Sequence, residues 1–270
     1  MIALRGDRAP VVAFLILTFA ISWSAWGTVA VSDAGYLDGI NLVLFLLGGF
    51  GPAIAAVLMR FVIHRLPAPP IVGAIRRPVW VWMPLALLLG AGPYLLGSAI
   101  GVPFGEGPSA SVAAETISGF GGLVPLLLLL IVAGPISEEP GWRGFAYPRI
   151  RSLSGRLYSM LILGLIWAAW HVPLFLIGGT FQNGLGLWSL GFAAFVASCV
   201  LQTYLLGHIY ERGGVAAAVA LHFALNASNV WLQVSQTVET IVSLITLLSL
   251  VIVIEWRARV ALNESEARAR

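Results

Sequence analysis

The chain has 270 residues, of which 59% are hydrophobic and 10% charged, against about 45–50% and 25% in an ordinary soluble domain. With so few charged side chains it cannot cover a soluble surface, which excludes a soluble enzyme, a nucleic-acid binder or a disordered tail as a description of the whole. All 15 basic residues are Arg, and the net charge of +3 reads as a topology signal rather than as a sign of an acidic partner.

A bilayer crossing needs about 20 mostly apolar residues. Eight such runs follow in chain order, at about 11–31, 40–59, 79–100, 121–147, 157–178, 188–208, 213–231 and 238–256. The first follows Arg5 and Arg8 as in a signal peptide, but its apolar run is too long and lacks a small-residue cleavage site, so it reads as a retained helix. Between the second and third spans, Pro67, Pro69, Pro70 and Pro78 make a stiff connector. Residues 105–119 read as an irregular loop. The fourth span carries Glu138, Glu139 and Arg143 near its end. A short Glu211-Arg212-Gly213-Gly214 turn separates the sixth span from the seventh. Cys199 is alone, so no internal disulfide forms.

The arginines test this division. With the N-terminus inside, all 15 fall on inside segments, while Asp33, Asp38, Glu106, Glu115 and Glu239 fall outside with no Arg. So complete a bias is the positive-inside signature. The expected fold is therefore all-α: a polytopic membrane bundle of about eight helices, with both termini cytoplasmic and a cavity facing the cytoplasm. It divides into three N-terminal spans (1–120), a four-span core (121–232), and a last span with an Arg-rich tail (233–270).

Ionisable groups within a bilayer cost about 2.5–3.5 kcal/mol each on insertion scales, and are functional candidates. Counted from the cytoplasmic boundary at 1.5 Å per residue, Glu138 lies about 16 Å deep, His171 and Asn226 about 21 Å, and His222 about 15 Å. Three helices thus place polar groups in one layer. Glu139 and Arg143 are four apart and can pair on one helical face. Glu138 is turned about 100° away and stays free for another partner. His222 and Asn226 also share a face, and Trp167 can pack on the His171 ring. Pro135 and Pro140 loosen the helix around the acids, freeing backbone to line a cavity. A carboxylate with a histidine can deprotonate a water, and a His/Asn pair can donate to an oxyanion. Ser137 has no base to activate it. Each feature alone has a plain structural reading: a solvated acid pair, a core histidine, hydrogen-bond glue between helices. The joint pattern favours a site, whereas His64 and His208 keep the structural reading.

At these residues the sequence resembles the CPBP (Abi) family of intramembrane glutamate endopeptidases, which includes the type II CAAX prenyl endopeptidases. Its Glu-Glu-x-x-x-Arg motif is present at 138–143 and its His-x-x-x-Asn motif at 222–226; its Phe-x-x-x-His motif has Trp167 in place of Phe ahead of His171. The resemblance covers about 120–232. It implies a peptidase in which Glu138 and His171 activate water, His222 and Asn226 form the oxyanion hole, and Glu139 and Arg143 are structural supports. It implies no cofactor. The zinc-dependent alternative would use Glu138, His171 and His222 as ligands. The implied partners are a membrane-associated peptide or protein substrate and the lipid bilayer, with no nucleic acid, and the implied location is the inner (plasma) membrane. A non-proteolytic scaffold or immunity protein of the same family is the alternative. A proton-coupled transporter is disfavoured, because the polar residues cluster in one half. An Arg-only, Ala- and Gly-rich chain points to a high-GC bacterium, where a prenylated CAAX substrate is not expected.

Overall fold

In the computed structural model, residues 8–63, 79–232 and 237–269 are described. Arg5, His64, Arg65, the prolines at 67, 69, 70 and 78, Arg76, Arg77 and Arg270 lie outside the described residues. Among the described residues every regular element is helical. Six helical segments are long and apolar enough to cross a membrane: Ala9–Ala30, Val79–Phe104, Leu123–Leu153, Arg156–Leu176, Leu190–Leu232 and Thr237–Ala261. A seventh is the bent pair Gly39–Gly49 and Gly51–Val62, whose halves meet at 55°. The bend is seeded by sequence, since Pro52 stands at the start of the second half, where a missing N–H costs nothing.

We label the helices α1 (Ala9–Ala30), α2 (Gly39–Gly49), α3 (Gly51–Val57), α4 (Val79–Gly101), α5 (Ala110–Gly119), α6 (Leu123–Ile131), α7 (Ser137–Gly141), α8 (Tyr147–Leu153), α9 (Arg156–Trp170), α10 (Phe181–Leu185), α11 (Leu190–Leu232) and α12 (Thr237–Ala269). The segment read as an irregular loop at 105–119 is in fact mostly α5, none of whose residues is buried. Its Ala-rich stretch favours helix, and Ser109 caps it by accepting from the Val112 N–H.

The 43 residues of α11 are about twice what one bilayer crossing needs. The helix is broken at Gly214, whose φ of +69° is a left-handed value that glycine adopts without penalty. Contacts along α4 show what the break does. Trp82 lies against Gly213, Gly90 lies against Leu221 and Ala224 on the later limb, and Tyr94 Oη accepts from Gln202 on the earlier limb at 2.7 Å. Both limbs therefore run the same way along α4 from the break, and α11 is a helical hairpin. It supplies the sixth and seventh passages read from the sequence, with the break at the last residue of the Glu211-Arg212-Gly213-Gly214 turn.

Polar contacts tie the bundle at both ends. At one end, Arg156 on α9 pairs with Glu211 on α11 at 3.3 Å and with Glu255 on α12 at 3.4 Å. His208 joins this cluster as a structural group, its Nδ1 accepting from Arg156 at 2.6 Å and from Arg212 at 3.1 Å. At the other end, Glu106 accepts from the Val238 and Glu239 N–H groups, capping the first turn of α12.

Candidate active site

The fourth span is not a continuous α-helix. Between α6 and α7 the chain makes a π-turn over Val132–Ile136, with non-helical backbone at Ala133 and Gly134 and a proline at 135. A second π-turn, Trp142–Ala146, follows α7. The acids thus sit on a five-residue helical segment held between two irregular turns. Such π-turns recur at functional sites, and the expected loosening around Pro135 and Pro140 is present. Ser137 stitches the first break by donating from Oγ to the Gly134 carbonyl at 3.1 Å. Gly141 seats the segment against α3: a Cβ there would lie 2.4 Å from the Pro52 carbonyl oxygen.

Glu139 and Arg143 form the pair expected from their spacing, at 3.0 Å, with both side chains fully enclosed. The pair also reaches both limbs of the hairpin. Arg143 Nη2 donates to Thr203 Oγ1 at 3.2 Å, and His222 Nδ1 lies 2.7 Å from Glu139 Oε1. Because a carboxylate only accepts, Nδ1 of His222 carries a proton and its Nε2 points elsewhere.

Glu138 is buried, and its Oε2 accepts from the Trp167 indole N–H at 2.6 Å. The other oxygen faces a gap beside Gly134. The position a Cβ would take on Gly134 is 3.8 Å from Glu138 Oε1, 3.8 Å from His222 Nε2 and 2.8 Å from Asn226 Nδ2. Three of the four residues singled out for chemistry therefore border one small space, which the absence of a side chain at position 134 keeps open. Asn226 is half-buried and its side chain makes no hydrogen bond within the described residues, so its amide is available to that space.

His171 ends α9, with its Nδ1 against the Trp167 carbonyl at 2.7 Å. A carbonyl only accepts, so Nδ1 donates and Nε2 keeps its lone pair. His171 and Glu138 are not bonded to each other; Trp167 lies between them. Its ring meets His171 edge-on at 5.3 Å and His222 at 5.4 Å, and the Arg143 guanidinium stands 4.9 Å from its centroid. Packing of Trp167 on His171 was legible from their spacing. The bond to Glu138, the contact with His222 and the opening at Gly134 were not, although the indole in place of the family's Phe was a visible signal. Among the described residues, no group of three or more His, Cys, Asp or Glu side chains is placed to hold a metal ion.

Residues 120–228 match the model of the Rce1-like family, described as type II CAAX prenyl endopeptidase. A curated protein from Methanococcus maripaludis, CAAX prenyl protease 2, is 23% identical over 244 residues, covering 84% of this chain and 87% of the relative. The resemblance to the CPBP family carried by the three motifs is thus borne out over the spans that hold them. Together with the apolar helices, it makes this a multi-pass membrane protein whose similarity is to membrane endopeptidases.

Proposed function

We propose that the chain is an intramembrane endopeptidase that hydrolyses a peptide bond of a membrane-associated peptide or protein, using a water activated by Glu138 and His171. The observation that carries this reading is the convergence of Glu138 Oε1, His222 Nε2 and Asn226 Nδ2 on the gap at Gly134. A carboxylate oxygen with no donor of its own is an acceptor for a water proton. Once that water attacks the substrate carbonyl, the new oxyanion needs donors. The Asn226 amide supplies one, and His222 supplies another when Nε2 is protonated, with Glu139 as counter-ion on the far side of the ring. His171, with its Nε2 lone pair, assists the proton transfer, and the proton then passes to the departing amine. Glu139 and Arg143 hold this geometry without touching the substrate. The membrane is the inner (plasma) membrane, with both termini in the cytoplasm. The relative's name offers a prenylated C-terminal peptide as one substrate class, and a lipidated or hydrophobic peptide is another.

The test is cleavage of a library of short membrane-anchored peptides by the purified chain in liposomes. Glu138→Gln and His171→Ala are expected to remove activity. Asn226→Ala is expected to retain a trace, since one oxyanion donor is worth about a 10²–10³-fold change in turnover. Full activity in Glu138→Gln would sink the proposal. Inactivation by a chelator, reversed by zinc, would convert Glu138, His171 and His222 into metal ligands. No cleavage by the unaltered chain of any library member would favour a scaffold.

A further inference from the structure

We propose that Trp167 is the positioning residue for the Glu138 carboxylate: its indole N–H fixes Oε2 and thereby turns Oε1 toward the gap shared with His222 and Asn226. The proposal rests on the reading of Glu138 as the base that activates water.

Three observations support it. The first is the bond itself, 2.6 Å from Nε1 to Oε2, buried and spanning 29 residues of sequence. A hydrogen bond to a charged group in such a setting is among the strong ones. The second is that Glu138 has no other hydrogen-bond donor among the described residues, so without the indole neither oxygen is preferred and the carboxylate can rotate. The third is the position of the ring. It lies edge-on to both imidazoles and beneath the Arg143 guanidinium, so one side chain touches Glu138, both histidines and Arg143.

The two parts of the Trp167 side chain, ring face and N–H, make different contacts. A phenylalanine at this position keeps an aromatic face for His171, His222 and Arg143 but has no donor. The N–H is directed at the one group that must be oriented for proton abstraction. A side chain that merely filled space would have no need to aim its N–H at that carboxylate. Trp142 and Trp170 are equally buried neighbours, and their indole N–H groups find no partner among the described residues.

The experiment has two arms. In the first, the full-length protein is labelled with 15N-tryptophan and its indole N–H resonances are recorded. There are ten tryptophans, and the Trp167 signal is the one missing in Trp167→Phe. It is expected to move in Glu138→Gln more than any other indole signal, because the substitution removes the charge it donates to; an unmoved signal would overturn the bond. Should Trp167→Phe fold poorly, benzothienylalanine at 167, which replaces N–H by sulfur at nearly constant shape, identifies the signal instead. In the second arm, both substitutions are assayed on the peptide library. Turnover is expected to fall about ten- to a hundredfold with KM changed less than about twofold, the pattern of an interaction that matters in the transition state. Wild-type turnover in the benzothienylalanine protein would overturn the positioning role and leave the peptidase reading intact. Full activity in Glu138→Gln would instead remove the reading of Glu138 as the base, with the first arm still deciding whether the bond exists.

Discussion

Removing Arg143 should destabilise the protein far more than removing the charge of its neighbour Glu138. Arg143 is completely enclosed and makes three kinds of contact: the pair with Glu139, the bond to Thr203, and the cation–π contact with Trp167. Truncating one member of a buried pair costs about 3–5 kcal/mol, most of it because the remaining charge is stranded. The lost cation–π contact adds about 1–2 kcal/mol at a desolvated site. In Arg143→Ala, Glu139 would keep only His222. Glu138→Gln, by contrast, preserves shape, and its amide oxygen can still accept from the Trp167 indole, so its cost should stay below about 1 kcal/mol. At about 2–4 °C per kcal/mol, the first substitution should lower the Tm of the detergent-solubilised protein by on the order of 10 °C and the second by a few degrees at most. A double substitution Arg143→Ala with Glu139→Gln should recover part of the loss, since no carboxylate is then left without its cation. Thermal unfolding followed by size-exclusion recovery from membranes checks all three. Equal losses in the two single variants, or strict additivity in the double variant, would refute the reasoning and show that Glu139 is not the acid Arg143 neutralises.

Two further outcomes follow from the helix arrangement. A reporter fused after Arg270 should be cytoplasmic and one inserted at Gly105 should be outside, as scored by accessibility in intact cells; an external C-terminus would remove one passage. Gly141→Ala should lower stability by about 1–3 kcal/mol and reduce peptide cleavage, because the added carbon would sit 2.4 Å from the Pro52 carbonyl, a backbone atom that cannot rotate away. Unchanged Tm and turnover would mean that α3 does not brace the acidic segment.

Much of the site was legible because its logic is local. Glu139 and Arg143 are four residues apart, and a helix brings such residues together whatever surrounds it. The passages were legible because lipid demands long apolar runs, and the hairpin because Gly213-Gly214 interrupts one. The bond from Trp167 to Glu138 was not legible. It joins two spans 29 residues apart and depends on how each helix is rotated about its own axis, which neither apolar periodicity nor hydropathy encodes once most faces are apolar. The reach of Arg143 to Thr203, across 60 residues, was hidden for the same reason. The misreading at 105–119 arose differently: Gly and Ser flanking a short Ala-rich stretch dominated its composition, and α5 buries nothing that would have left a periodic mark.

The bonds from the Glu139–Arg143 pair to the two limbs of α11 also set an order of biogenesis. The pair neutralises itself within one helical turn, so the fourth span can enter the bilayer from the ribosome with these two charges already matched, before anything downstream exists. Thr203 and His222 arrive 60 and 83 residues later, and only when the hairpin docks against α4 does Glu139 acquire the imidazole that faces the gap. A nascent chain stalled before residue 222 would carry both acids yet lack two of the three polar groups around Gly134. The set of residues proposed for catalysis is thus complete only once both limbs of the hairpin are in place.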